Sequence, residues 1–569
     1  MTRTTSQTRL ASAAAAMLAL LLCAPIVALN QYISHHRTDD ADQFFYTYVG
    51  RQLADGRALY SEVWDFKPPG TFWLGALAAG IDRHSNVGLL LVCTLALSCA
   101  LGTCYLTCRR LFSTAAAVLA TAVAAVYLLQ PEYLLGSLRP ETFILPIELL
   151  AAGCYLWGLR TSRSWPMLIA GAAVACAFLV KQTAVALATA IVVDQLLAGP
   201  LRRQPPLRTL VHLGCCCAGA AVVLAGAALA LARTSDLAEA VDAVFIVPAL
   251  YAARGPGDWW MSWIEWRQHV QAVALPVALA ACTVAFTLWH TWVRRGDETH
   301  VREGGAARRQ PAGLGAVAEM IPVLLIWLAA AVALALAAPH RQTHYFSPAL
   351  TPLMLLAAGG VHLLLAACRD GDRLTFAAWV CVVGMAWLGR APIVEQTSRA
   401  AAVWVGHDGG REDDDLAQLA EVVQCHCPPG EPVYISGYRP RLWLLADRPP
   451  AVRHPGAMSA ARLGRYAGPI LDEIVAGLTI APPRVIVIGG PELAALDWDA
   501  AAVDAEAVLQ AVPANVSAAA PAWIEAHYVP AAEDRRGLVW VRADVAAREA
   551  ELDRRMAQAE TNPSGLLAR

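Results

Sequence analysis

The sequence predicts a polytopic α-helical membrane protein with a small α/β domain at its C-terminal end, outside the cytoplasm. Three observations predict it. The 569 residues are 57% hydrophobic and only 16% charged, where soluble domains carry about 25% charged residues. Apolar runs of spanning or near-spanning length recur from residue 10 to about residue 390. Beyond Arg390 the composition becomes that of a soluble domain.

The first run lies in MTRTTSQTRLASAAAAMLALLLCAPIVALN, which has the basic flank and apolar core of a signal peptide. The run is long enough to span, and Cys23 follows Leu22 rather than a small residue, which argues against a lipoprotein cleavage site. It reads as a retained first transmembrane helix. Further runs fall at 87–108, 112–130, 140–159, 166–180, 183–198, 209–232, 269–292, 315–338, 347–368 and 374–389, about eleven with the first at 10–30. Threading them with the N-terminus inside puts Arg3, Arg9, Arg109, Arg110, Arg160, Arg163, Arg202, Arg203 and Arg208 at cytoplasmic ends. Arg294, Arg295, Arg302, Arg308, Arg309, Arg369 and Arg373 follow suit, as the positive-inside rule requires. The same threading puts the loop after the first span, and everything beyond about 390, outside the cytoplasm of a plasma or inner membrane.

Two places depart from simple spans. Lys181-Gln182 interrupts an apolar stretch that reads as two short spans or one buried hairpin. DWWMSWIEW, Asp258 to Trp266, clusters four tryptophans, an interfacial anchor or a surface on which a sugar or lipid stacks. In the terminal domain Leu416 to Val423 reads as an amphipathic helix, and PVYIS (432–436), RVIVIG (484–489) and LVWVRA (538–543) as strands. Gly489-Gly490 lacks the spacing of a phosphate loop. The tail from Asp544 reads as a charged helix or a disordered segment. Domain boundaries follow: 1–390 in the membrane, with an external loop at 31–86, then 391–545 and a charged tail at 546–569. Most of the 15 cysteines sit in apolar runs as small hydrophobes, and Cys425 and Cys427 read as incidental loop thiols. A net charge of −2 without a basic arm gives no sign of nucleic acid binding.

The most polar part of the N-terminal half is DDADQFFYTYVGRQLADGRALYSEVWDFKPPG, Asp39 to Gly70. Thr38 or Asp39 can cap a helix that Gly56 ends, with Phe45, Tyr48, Val49 and Leu53 on one apolar stripe, so the helix reads as lying on the membrane surface. Asp39, Asp40 and Asp42 stand at its start, and the helix dipole favours an ionised carboxylate there, which suits a general base as well as an N-cap. Asp65 and Lys67 precede a double proline that turns the chain back to the membrane.

YVGRQLADG followed by LYSEVWDFKPPG resembles the first external loop of the GT-C glycosyltransferases, in groups related to the protein O-mannosyltransferases, the lipid A aminoarabinose transferase and the bacterial RgtA/B/C/D-like enzymes. The resemblance puts the catalytic aspartate at Asp42; Gln43 stands where the family has a Glu, which leaves Asp39 and Asp40 as rivals. LLGSLRPETFILPIELLA resembles the external turn in which an acid, here Glu141, opens a membrane helix beside Arg139. AFLVKQTAVAL resembles the segment that brings Lys181 to the outer face, and HYFSPALTPLMLL the late helix with His344 and Tyr345 at its outer end. PVYISGYRPRLWLLADRPP is similar to the outer domain of some bacterial members.

The resemblance implies transfer of a sugar from a polyprenyl-phosphate donor to an acceptor hydroxyl of a glycan, lipid or protein, outside the cytoplasm. Such a reaction needs a base near the acceptor, cations on the leaving phosphate and an apolar groove for the lipid. Asp42 supplies the base of an inverting displacement; Lys67, Lys181, Arg139 and Arg341 are the cations available on the outer side. Glu141, Asp65, His344 and Tyr345 complete the candidate site. No metal ligands are assigned, no cofactor is required by the motifs, and a divalent metal stays open. Plainer roles also stay open: Lys67 as partner of Asp65, Glu141 as a first-turn acid, His344 and Tyr345 as interfacial anchors. A flippase for a lipid-linked saccharide would show paired halves or interrupted helices in corresponding positions, which the sequence lacks. An inactive envelope scaffold is the remaining rival.

Overall fold

A computed structural model of the chain describes residues 5–36, 41–83, 86–128, 136–202, 204–252, 273–300, 314–337, 343–370, 410–435, 439–455, 467–488, 526–534 and 537–561, with a few isolated positions between 270 and 402. It divides into two compact units. One comprises Met1–Arg37, Lys67–Arg233 and Arg254–Asp408; the other comprises Thr38–Phe66, Thr234–Ala253 and Gly409–Arg569.

The first unit is helical. Among the described residues six helices are long and apolar enough to cross a membrane: Ser12–His36, Val87–Leu111, Pro140–Thr161, Pro206–Ala232, Val317–Ala337 and His344–Ala366. Shorter apolar helices occupy Pro69–Ile81, Thr114–Leu128, Trp165–Val180, Gln182–Ala198 and Ala274–Trp289. The expected span at 374–389 and the tryptophan cluster at 258–266 fall outside the described residues. Lys181 breaks the stretch around it, with an extended backbone at φ −151° and ψ 133°, so two helices meet there.

Side-chain ties show which helix ends share a side of this unit. Arg160 Nη1 donates to the Arg110 carbonyl at 3.0 Å, Arg208 Nη2 to the Leu159 carbonyl at 3.2 Å, and Arg202 Nη2 to the Glu319 carbonyl at 3.1 Å. These arginines therefore gather at one end of the bundle. At the opposite end Gln31 Nε2 donates to the Gly136 carbonyl at 2.9 Å. Thr71 Oγ1 donates to the Val180 carbonyl at 3.2 Å, next to Lys181.

Pro69–Ile81 is a helix in what reads from the sequence as loop. Pro69 sits in its first turn, where no amide partner is lost. Its first turn lies against Leu179–Val180, and its last turn against Gly88, where a Cβ would come within 2.0 Å of the Ala78 carbonyl oxygen. Both neighbours belong to the Lys181 end, so this helix lies across that end rather than through the bundle. At 13 residues it spans about 20 Å, short of a bilayer core. Elsewhere small residues let backbones touch. A Cβ on Gly171 would sit 1.9 Å from the Cys216 carbonyl oxygen, and one on Gly219 would sit 2.0 Å from that of Leu168.

The second unit is built on a four-stranded sheet. β1 (Val433–Ile435) pairs in parallel with β2 (Val485–Ile488), which pairs antiparallel with β4 (Gly537–Arg542), and β3 (Tyr528–Asp534) forms the edge beyond β4. β1, β2 and β4 are the three strands expected from their apolar runs. β3 is not legible that way, because Pro530 and its acidic end suit only an edge, where the ladder also slips at Pro530–Ala532. Helices Gly410–His426, Pro440–Ala446 and Ala467–Ile480 belong to this unit, and the charged tail is a helix, Ala543–Thr561. Gly489-Gly490 is outside the described residues.

The helix expected after Asp39 runs over Ala41–Ala54, and Gly56, at φ +90°, turns the chain after it. Its apolar stripe, expected on a membrane surface, packs in part on protein: the Tyr48 and Trp443 rings stand 5.1 Å apart. Val247, Val452, Ile470 and Ile474 form a core that Trp64 and Phe66 of the same loop cover.

Candidate active site

Five of the residues singled out in the sequence meet at the Lys181 end of the helical unit. Pro140 starts the helix Pro140–Thr161 and puts Glu141 in its first turn, only 2% exposed. Lys181, held out of helix by its extended backbone, forms a buried ion pair with Glu141 Oε1. The helix through His344–Ala366 brings His344, with Nε2 4.0 Å from the same oxygen. Arg139 Nη1 donates to His344 Nδ1 at 3.3 Å. A guanidinium has no acceptor, so Nδ1 must accept, which leaves the imidazole proton on Nε2, facing Glu141. Tyr345 adds the face of its ring, 5.2 Å from Lys181 Nζ.

The arrangement has a definite electrostatic sense. Two cations, Arg139 and Lys181, and an imidazole N–H surround one carboxylate in a place where charge is costly unless paired. With His344 neutral, the group keeps one net positive charge, held by rigid helix ends. It can take up a further anion with little rearrangement, which is what stabilisation of a departing phosphate requires. Lys67 lies at this end too, three residues before Gly70, whose neighbours are Leu179 and Val180.

One functional-looking residue escapes the motif reading. Glu148 lies two turns beyond Glu141 on the same helix face and is fully buried. Its Oε2 accepts from Thr351 Oγ1 at 3.3 Å, while Oε1 has no hydrogen-bond partner among the described residues. The signal was an acid inside an apolar run, seven positions from another.

The remaining expectations are distributed differently. Asp42 occupies the first turn of Ala41–Ala54 and Asp65 is buried at 4% exposure, both in the second unit. Asp39, Asp40 and Arg341 lie outside the described residues. Among the described residues no group of three or more His, Cys, Asp or Glu side chains is placed to hold a metal ion.

Comparison with known proteins agrees with this fold. Residues 66–228 match the family model of dolichyl-phosphate-mannose-protein mannosyltransferase. No curated protein matches the sequence. Among solved structures, ArnT from Cupriavidus metallidurans bound to undecaprenyl phosphate superimposes with a TM-score of 0.53 at 15% identity, covering 92% of this chain and 98% of that one. The apo state of the same protein gives 0.54 at 15% identity over the same shares. The fold expected from the loop motifs is thereby borne out.

Proposed function

We propose that this chain, a membrane protein of the GT-C glycosyltransferase superfamily, moves a sugar from a polyprenyl-phosphate donor to an acceptor hydroxyl on the extracytoplasmic face, with inversion. The observation that carries the reading is the cationic cluster of Arg139, Lys181 and His344 about Glu141, assembled from three separated motifs at one end of the bundle. The solved ArnT structure holds undecaprenyl phosphate, the kind of carrier that such a donor would release.

In this mechanism the acceptor oxygen attacks the anomeric carbon from the face opposite the phosphate. Its proton passes to the carboxylate of Asp42, at the positive end of a helix dipole. The carbon–oxygen bond to phosphate breaks, and the electron pair leaves with the polyprenyl phosphate. Lys181 and Arg139, joined by Lys67 and Arg341, stabilise the charge that develops there. Glu141 keeps Lys181 extended and the cluster short of excess charge, so the product phosphate is released. The apolar helices supply the groove for the polyprenyl chain, and the acceptor is a glycan, lipid or protein hydroxyl.

The test is transfer by purified protein from a panel of polyprenyl-phosphate sugars, with Asp42→Asn beside the wild type. The expected result is wild-type transfer and a loss of about 10²–10⁴-fold in kcat for the variant, the range of general-base catalysis, at unchanged abundance. Equal rates would remove Asp42 from the role of base. Absence of transfer by the wild type across the panel would favour a flippase.

A further inference from the structure

Pro440–Arg448, within PVYISGYRPRLWLLADRPP, takes no part in the reaction above, yet it forms a seat for the helix that carries Asp42. The Arg441 guanidinium lies 5.4 Å from the Phe44 ring centroid. The Tyr48 and Trp443 rings are 5.1 Å apart, and the Tyr48 hydroxyl donates to the Arg448 carbonyl at 3.1 Å. Arg51 Nη1 stands 4.0 Å from Asp447 Oδ1. Positions 44, 48 and 51 are four and three apart, so they form one face of the helix. Asp42 is turned about 160° from Phe44 around the helix axis, away from the seat.

The contact is dry, with Tyr48 at 0% and Trp443 at 1% exposure. Burial pushes the Tyr48 hydroxyl well above its usual range, so it stays a donor to the Arg448 carbonyl. The far end of the loop is tied to the same domain. The Trp64 amide donates to the Arg453 carbonyl at 2.6 Å, and Arg453 Nη1 bonds Glu239 Oε1 at 2.5 Å while its Nη2 bonds Glu473 Oε2 at 2.8 Å. Ser61 Oγ donates to Glu239 Oε2 at 2.8 Å, closing the tie.

We infer that the C-terminal domain is a platform that positions the external loop, with Trp443 a positioning residue for Asp42. The inference rests on the reading of Asp42 as base, and it assigns this surface of the domain to the loop rather than to an acceptor. A side chain that orients the base acts on the chemical step more than on donor binding.

The experiment compares Trp443→Ala, Trp443→Phe and Tyr48→Phe in the full-length protein, following transfer kinetics and amide hydrogen exchange across residues 42–54. Trp443→Ala is expected to lower kcat tenfold or more with donor KM within threefold, and to raise exchange in that helix. Trp443→Phe keeps an aromatic ring and is expected to restore kcat to within threefold. Tyr48→Phe removes one hydroxyl and changes both readouts in the same direction by less, which keeps the test informative if Trp443→Ala does not fold. Unchanged exchange in Trp443→Ala and Tyr48→Phe, a change confined to acceptor KM, or a Phe variant no better than Ala would overturn the inference. A wild type that transfers no sugar overturns the reading of the base alone, and the exchange result then decides the platform.

Discussion

At the residue scale the cluster turns on how Lys181 is held. A lone ammonium at this depth would be expensive, and Glu141 offsets that cost while Arg139 keeps the cluster cationic. Removing either partner therefore has different consequences. Lys181→Met is expected to raise donor KM or lower kcat by about 10–100-fold, the loss of a charged hydrogen bond of about 1.5–3 kcal/mol, in kinetics with a polyprenyl-phosphate sugar. Glu141→Gln leaves the partly buried Lys181 ammonium without its carboxylate, a loss of up to about 3–5 kcal/mol, so its first readout is a lower thermal midpoint in detergent. The double variant Lys181→Met/Glu141→Gln should recover much of that stability while staying defective in transfer; a double variant as unstable as the sum of its parts would mean the pair is not coupled. Much of this cluster was legible in the sequence, because Glu141, Lys181 and His344 each sit where a polar motif interrupts an apolar run. Their mutual contact was not, since residues 141, 181 and 344 are brought together only by helix packing. Glu148 stayed hidden for another reason: an acid inside a long apolar helix resembles no loop motif, and only its burial marks it out.

At the element scale, long apolar runs and short ones carry unequal information. Helices such as Val87–Leu111 and Pro206–Ala232 follow from length and hydropathy alone. Pro69–Ile81 does not, because 13 residues fall below the about 20 needed to span; the double proline that announces a turn also starts a helix. β3 was missed by the same kind of shortfall, an edge strand that tolerates proline and acid. The crossing of Trp165–Val180 over Pro206–Ala232 is set by glycines whose role only the structure reveals. A Cβ at Gly171 or Gly219 would collide with a carbonyl of the opposite helix, and carbonyls cannot rotate away as side-chain tips can. Gly171→Leu is thus expected to force the two helices apart, at about 1–3 kcal/mol or more of overpacking. Gly226→Leu, which meets open space, should cost little. Thermal unfolding of the two variants checks this, and equal midpoints would show that the close approach carries no stability.

At the scale of the whole molecule, the distribution of charge between the two ends of the bundle sets the orientation to be expected in a membrane. Arg110, Arg160, Arg202 and Arg208 are tied to carbonyls or rings at one end. Arg139 and Lys181 stand at the other, bound into the cluster with Glu141. Arginines concentrated at one set of helix ends retain those ends on the cytoplasmic side, and because acids count for little in this bias, the pairing of Arg202 with Asp194 does not cancel it. The helix Pro69–Ile81 would upset the alternation if it crossed the bilayer; lying across the Lys181 end, it leaves the parity of the later helices as the arginines require. Reporter fusions test this. Green fluorescent protein joined after Arg163 should fluoresce, as a cytoplasmic position does, and alkaline phosphatase joined after Arg233 or Arg569 should be active, as an external one is. Fluorescence of a fusion at Arg569 would put the sheet domain in the cytoplasm. Asp42, the proposed base, belongs to the same compact unit as that domain, so such a result would also count against the proposed reaction on the external face.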